Sequence, residues 1–107
     1  MTCRLETERG APVADPTEGD IVAALRGLDG GTNRFAILSR AASAFLQVHG
    51  SSADGFLMEY RESADTPLFR CNEDPVARVV VAQQAFVRYL QQDPAWKAHL
   101  SWHATDL

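Results

Sequence analysis

Two histidines near the C-terminus have the spacing of a metal site. His99 and His103 are four residues apart, a separation that lets two imidazoles on one helix face reach a single ion. A zinc site needs a third ligand, which would have to come from His49 or Cys71, and no glutamate follows His99 in the manner of metalloproteases. Surface histidines are the commoner interpretation, so the sequence predicts neither a metal nor another cofactor.

Carboxylates gather in the middle of the chain, at Asp54, Glu59, Glu62 and Asp65. Paired carboxylates can act as general acid and base, and His49 with Glu59 would serve a small hydrolase. Charges alternating along a solvated strand are more common. No G-x-S-x-G elbow surrounds a serine, and the Gly30-Gly31 pair follows a helix, whereas a phosphate loop precedes one. We therefore predict a protein that is not an enzyme, with the hydrolase as an alternative.

The charge balance is acidic and narrows the classes of partner. Ten Lys and Arg residues against fourteen Asp and Glu residues give a net charge of -4, the opposite of what binding to a phosphate backbone requires. No apolar stretch approaches the roughly 20 residues of a membrane span, and no signal peptide pattern opens the chain. We expect a cytoplasmic protein that binds neither nucleic acid nor membrane. Cys71 shares a strand face with Phe69 and is expected to be buried, whereas Cys3 falls in a frayed terminus.

A few predicted elements must position these side chains. Residues 1–15 show no helical or strand periodicity and are expected to form a flexible N-terminal segment. Thr17 can cap a helix over residues 18–28, which ends at Asp29-Gly30-Gly31 because glycine adopts the left-handed C-cap without a Cβ penalty. Asp74-Pro75 starts a second, amphipathic helix over residues 75–92.

Alternation with a period of two predicts four strands between these helices, over residues 34–39, 44–49, 56–62 and 68–72. In the third strand Leu57, Glu59 and Arg61 share one face, opposite to an apolar face. The short links favour an antiparallel meander. The predicted fold class is α+β, a four-stranded antiparallel sheet with both helices packed on one face, in a single domain over residues 16–107.

Two tryptophans lie near the C-terminal end of the sequence. Trp96 and Trp102 are expected to cover the open end of the core, although an exposed Trp102 would instead be an anchor for a partner. A four-stranded meander leaves two edge strands and only two helices to cover them. We therefore predict a homodimer that forms through a free sheet edge or through the Trp102 end.

The order of these features resembles a known class of small proteins. It consists of a capped helix ending in Asp29-Gly30-Gly31, strand segments at residues 45–50 and 57–61, a helix segment at residues 86–90, and a tail from Trp96 to Trp102. The pattern is similar to that of small single-domain bacterial proteins grouped with the immunity proteins of polymorphic toxin systems. The resemblance covers residues 17–102 and consists of hydrophobic spacing, the Glu59-Tyr60-Arg61 strand end and the late tryptophan. It implies a non-enzymatic protein that binds and blocks one cognate toxin, for which an acidic surface would suit a basic nuclease.

The predicted partner-binding surface is the polar face or edge of the third strand, together with the charges that flank it. Its residues are Asp54, Glu59, Arg61, Glu62 and Asp65, with Trp102 at the end of the domain. Fixed negative charge accelerates the capture of a basic partner, and Arg61 would set the register of the complex. A regulatory domain that binds a small ligand is the alternative, and it would require an apolar pocket near Met58 and Phe86.

Overall fold

The computed structural model describes residues 3–71, 78–98 and 100–105. Its strands are β1 (Arg4–Thr7), β2 (Val13–Ala14), β3 (Phe35–Ala41), β4 (Ala44–Ser51), β5 (Gly55–Arg61), β6 (Leu68–Cys71) and β7 (Trp102–Thr105). Helix α1 (Glu18–Arg26) follows β2, helix α2 (Val79–Leu90) lies between β6 and β7, and a 3-10 turn covers Pro94–Lys97.

All seven strands form one sheet in the order β2-β1-β3-β4-β5-β6-β7, and every neighbouring pair is antiparallel. The prediction of an α+β fold with an antiparallel sheet is confirmed. The prediction of four strands is wrong. Strands β3 to β6 are the four predicted ones, and the two ends of the chain add three more at the edges.

Two of the added strands lie within residues 1–15, where the sequence predicts a flexible segment. Strand β1 pairs with β3 on one side and with β2 on the other, and Cys3 and Leu5 are buried. A four-residue strand offers only two inward positions, which is too few to appear as a period in the sequence. Strand β1 is ordered by its hydrogen bonds to β3 and by the burial of Cys3 and Leu5. Both are contacts with residues that are distant in the sequence.

The third added strand, β7, lies in the C-terminal tail and pairs with β6, with Trp102 opposite Cys71. The Trp102 ring lies edge-on to Tyr60 at 4.7 Å between centroids, and its Nε1 donates to the Lys97 carbonyl oxygen at 3.2 Å. Trp96 is buried and also lies edge-on to Tyr60. Both tryptophans therefore pack against the same tyrosine at this end of the core.

Both helices cover the same face of the sheet, as predicted. Ile21 and Leu25 of α1 and Phe86 of α2 are fully buried in one cluster with inward side chains of β3, β4 and β5. A capping box starts α1, because the Thr17 hydroxyl accepts from the Asp20 amide and the Asp20 carboxylate accepts from the Thr17 amide. The predicted start of the second helix, at Asp74-Pro75, lies outside the described residues. The sheet therefore has an inner face under the helices and an outer face on the other side.

Candidate protein-binding face

The outer face of the sheet carries partly exposed apolar side chains. Strand alternation and register place four of them on it, namely Phe35, Ile37, Phe45 and Leu57. None of the described elements packs over them, because both helices lie on the inner face. Apolar side chains grouped on a surface and ringed by polar ones are typical of interaction sites.

A row of polar side chains crosses the middle of this face. The register aligns Gln47 of β4, Glu59 of β5 and Arg70 of β6 directly opposite one another. Arg70 donates from Nε and Nη2 to Glu59 Oε2 at 3.1 and 2.8 Å, and Gln47 Nε2 donates to Glu59 Oε1 at 3.1 Å. We call these three residues the polar row.

Glu59 is the central member of the polar row, and its side chain is only 12% exposed. A carboxylate that is mostly removed from water needs a counter-charge and hydrogen bonds to both oxygens, and the row supplies them. Charge-assisted hydrogen bonds of this kind fix the rotamers of all three side chains. The outer face therefore presents a hydrogen-bonded polar row, with Leu57 and His49 on one side of Glu59 and Phe45 and Arg61 on the other.

A groove of about 680 Å³ lies beside the polar row, over β3. Arg4 and Glu6 of β1 line one side of it, Phe45 and Gln47 of β4 line the other, and the small Ser39 leaves the space between them. Arg4 and Glu6 form an ion pair at 3.0 Å. This groove makes part of the outer face concave, with one aromatic wall and one charged wall.

The structure brings only part of the predicted partner-binding surface together. Glu59 and Arg61 lie on the outer face, where Arg61 Nε donates to the Thr66 carbonyl oxygen. Asp54 precedes β5 and Asp65 follows it, so the length of the strand separates them by roughly 20 Å. Strand β5 pairs with β4 along its whole length and with β6 at Glu59 and Tyr60, so its middle is not a free edge.

The two other residues of the predicted surface have partners on the inner side. Glu62 pairs with Lys97, whose ammonium lies 5.3 Å from the centroid of the Tyr60 ring. Trp102 packs against the same tyrosine. These contacts tie the loop after β5 and the tail to the aromatic end of the core, away from the polar row.

Sequence reasoning missed the residues that complete the face, above all Gln47, Phe45 and Arg70. All three lie in predicted strands, so alternation alone assigns each to one side of its strand. Alternation does not predict the register between strands, because the register is set by the turns and by the buried face of the sheet. The signal that would have found them is an opposite-charge pair at cross-strand neighbours, and it can be recognised only once β5 is paired with β6.

The residues of the two alternative functions are placed as follows. His49 lies opposite Leu57, one diagonal position from Glu59, and the hydrogen bonds of the Glu59 carboxylate go to Gln47 and Arg70. Met58 and Phe86, which would border the pocket of a small-ligand domain, are fully buried in the packed core. Neither arrangement carries a functional proposal.

The two candidate metal ligands weighed in the sequence lie partly outside the described residues, because His99 does. His103 lies in strand β7, where helical spacing does not apply. Within the described ranges no three His, Cys, Asp or Glu side chains lie close enough together to hold an ion.

The two cysteines lie in different parts of the core. Cys71 is buried, as predicted, and Cys3 is buried as well, although a frayed terminus was the expectation for it. Burial raises the pKa of the Cys3 thiol, an effect that the nearby Arg40 guanidinium opposes.

Among the helices described, none is long and apolar enough to cross a membrane. The chain matches no protein-family model, no curated protein and no solved structure.

Proposed function

We infer that this protein is a non-enzymatic protein-binding module, an inhibitor of the immunity type, and that it captures its partner on the outer face of the sheet. The observation that carries the proposal is the hydrogen-bonded polar row beside partly exposed apolar side chains on a face that no described element covers. Interfaces gain most of their affinity from a few well-packed central residues surrounded by groups that exclude water. We expect the polar row, with Phe45 and Leu57 beside it, to form such a centre.

Pre-organisation is the energetic argument for this face. Glu59 and Arg70 are already paired, so binding need not immobilise them and loses little side-chain entropy there. Phe45 and Leu57 beside them supply apolar area that a partner removes from water. A partner with an apolar patch and hydrogen-bonding groups aligned with the row fits this surface.

The acidic residues predicted for the site have a different role in this proposal. Asp54 and Asp65 lie beyond the two ends of β5. In this proposal they contribute to the long-range electrostatic field and make little contact with the partner. Together with the net charge of -4 they would accelerate the approach of a basic partner such as a nuclease toxin. We therefore expect Asp54→Lys to lower the association rate constant and leave the dissociation rate nearly unchanged.

The test begins with a photo-crosslinking residue at position 57 and, as a matched control, at position 80. Val80 lies on α2, on the other side of the molecule, and is 54% exposed. Candidate partners are proteins captured from the source organism through position 57 but not through position 80, together with any toxin encoded by a neighbouring gene. Each one is then purified for direct titration.

Affinity for the purified partner is measured with Leu57→Arg and with Val80→Arg by calorimetry. Burying an unpaired guanidinium in the interface should weaken binding at least tenfold for the first variant, whereas the second should bind within a factor of two of wild type. Co-expression with a toxin partner should show loss of protection with Leu57→Arg only. Equal binding by the wild-type protein and Leu57→Arg would exclude the outer face as the binding surface.

A further inference from the structure

Both carboxylates that the structure describes on the outer face are neutralised by residues of the same face. Glu6 is paired with Arg4 and Glu59 with Arg70, while Arg61 donates to the Thr66 carbonyl oxygen. Two like-charged faces repel each other when they meet, but two faces neutralised in this way do not. A second copy of this face therefore meets no electrostatic barrier from these groups.

The size of the face agrees with that of a small dimer interface. With about 3.4 Å per residue and about 4.8 Å between strands, the six longer strands span roughly 550 Å² in projection. The relief of the side chains increases the accessible area above this figure, towards the roughly 800 Å² per partner of a standard interface. The four apolar side chains lie within this area, on the central strands β3 to β5.

Two other surfaces considered for self-association, the β2 edge and the Trp102 ring, are less suitable. Strand β2 is an edge of only two residues, between Pro12 and Pro16, and proline has no amide to donate to a neighbouring strand. Trp102 already packs against Tyr60 and Trp96, with its indole N–H bonded to Lys97. Its apolar surface is largely used within the chain.

We propose that in the free protein a second copy of the chain covers the outer face, forming a two-fold sandwich of two sheets. Sheets packed face to face lie about 10 Å apart with their strands about 30° from parallel, so that side chains of the two faces interdigitate. Phe45 and Leu57 of each copy would then lie in the shared layer around two polar rows. The inference rests on the proposed binding role of this face, and it adds that the toxin or other partner must displace the second copy.

Sedimentation equilibrium between about 1 and about 500 µM protein tests this directly, a range that brackets the affinity expected of an interface this small. The wild-type protein should pass from monomer to dimer within that range. Leu57→Arg places a charge in the shared layer of both copies and should weaken the dimer at least tenfold. Val80→Arg, which places the same charge on the helical side, should dimerise as the wild type does.

Circular dichroism confirms that each variant is folded, and Phe45→Lys is the second outer-face variant if Leu57→Arg does not fold. A wild-type protein that stays monomeric at about 500 µM, or a dimer that both outer-face variants leave intact, overturns the proposal. The outcome for the proposed binding function is separate from the outcome for the dimer. A monomeric wild type that loses its partner through Leu57→Arg keeps the proposed function and removes only the dimer.

Discussion

Asp29 and Glu59 are both carboxylates fixed by hydrogen bonds, but their partners differ in kind. Asp29, in the loop after α1, accepts from the backbone amides of Gly31, Thr32 and Asn33. Glu59 accepts from side chains of two neighbouring strands. The first arrangement shapes a loop and is local in sequence. The second requires the assembled sheet and places a hydrogen-bonded carboxylate on its outer face. For this reason only Glu59 belongs to the candidate site.

Asp29 should make stability depend on pH. Hydrogen bonds from the Asn33 and Gly31 amides and from the Thr32 hydroxyl lower its pKa from the ordinary 3.8. A carboxylate with a depressed folded-state pKa contributes stability that is present above the unfolded value and is lost as the pH falls below it.

We therefore expect the free energy of unfolding to decrease as the pH is lowered from about 5 to about 2, and to decrease less in Asp29→Asn. Urea titrations across this range measure both curves. The variant should be less stable at neutral pH and should converge with the wild type in acid. Curves that stay parallel would show that Asp29 makes no such contribution.

At the scale of elements, the β4–β5 hairpin depends on the backbone conformation of Gly50. Gly50 has a φ of 136°, in a region that L side chains rarely adopt, and a Cβ there would collide with the Gly55 carbonyl oxygen. The hairpin carries Gln47 on one strand and Glu59 on the other. The geometry of the polar row therefore depends on a backbone conformation outside it.

Gly50→Ala should reduce the free energy of unfolding by at least about 2 kcal/mol, because both the strained φ and the collision oppose the native hairpin. Gly19→Ala is the matched control. Gly19 lies in α1, where a Cβ would meet nothing closer than the Thr17 hydroxyl at 3.6 Å and alanine favours the helix. Chemical denaturation should rank the control equal to or above the wild type. A stable Gly50→Ala protein would contradict the assigned role of this glycine.

At the scale of the whole molecule, the two ends of the chain complete the sheet on opposite sides. Strands β1 and β2 lie beyond β3, and β7 lies beyond β6. One core cluster runs from Cys3 and Leu5 to Trp96, with Trp102 packed against it. The four strands β3 to β6, which include the polar row, are therefore flanked on both sides by strands from the chain ends.

Leu5→Ala should cost about 2–4 kcal/mol of stability, the usual range for truncating a fully packed leucine, because Leu5 is only 3% exposed. Val13→Ala in neighbouring β2 is the control. Val13 is 37% exposed, and we expect a cost below about 1 kcal/mol. Thermal and urea unfolding distinguish the two variants. Equal, small effects would mean that the N-terminal segment does not contribute to the core.

Local features of the sequence were enough to predict α1 and the strands β3 to β6. The Thr17 cap and the alternation in residues 34–71 act over a few positions, so each is visible in a short window. The predicted end of the helix at Asp29-Gly30-Gly31 is wrong, because α1 ends at Arg26 and Gly27 caps it in a right-handed conformation. The same alternation correctly placed Leu57, Glu59 and Arg61 on one face of β5, and it predicted the burial of Cys71.

Only the tertiary structure decided the width of the sheet and the composition of the candidate site. Residues 4–7 and 102–105 become strands because β3 and β6 offer unpaired backbone groups, a stabilisation that no short window of sequence contains. The pairing of Glu59 with Gln47 and Arg70 depends on cross-strand register, which the buried face fixes for the whole sheet at once. The sequence by itself determined which side chains face outward on the four predicted strands. The assembled sheet determined which of them are neighbours, because hydrogen bonds between strands connect residues far apart in the chain.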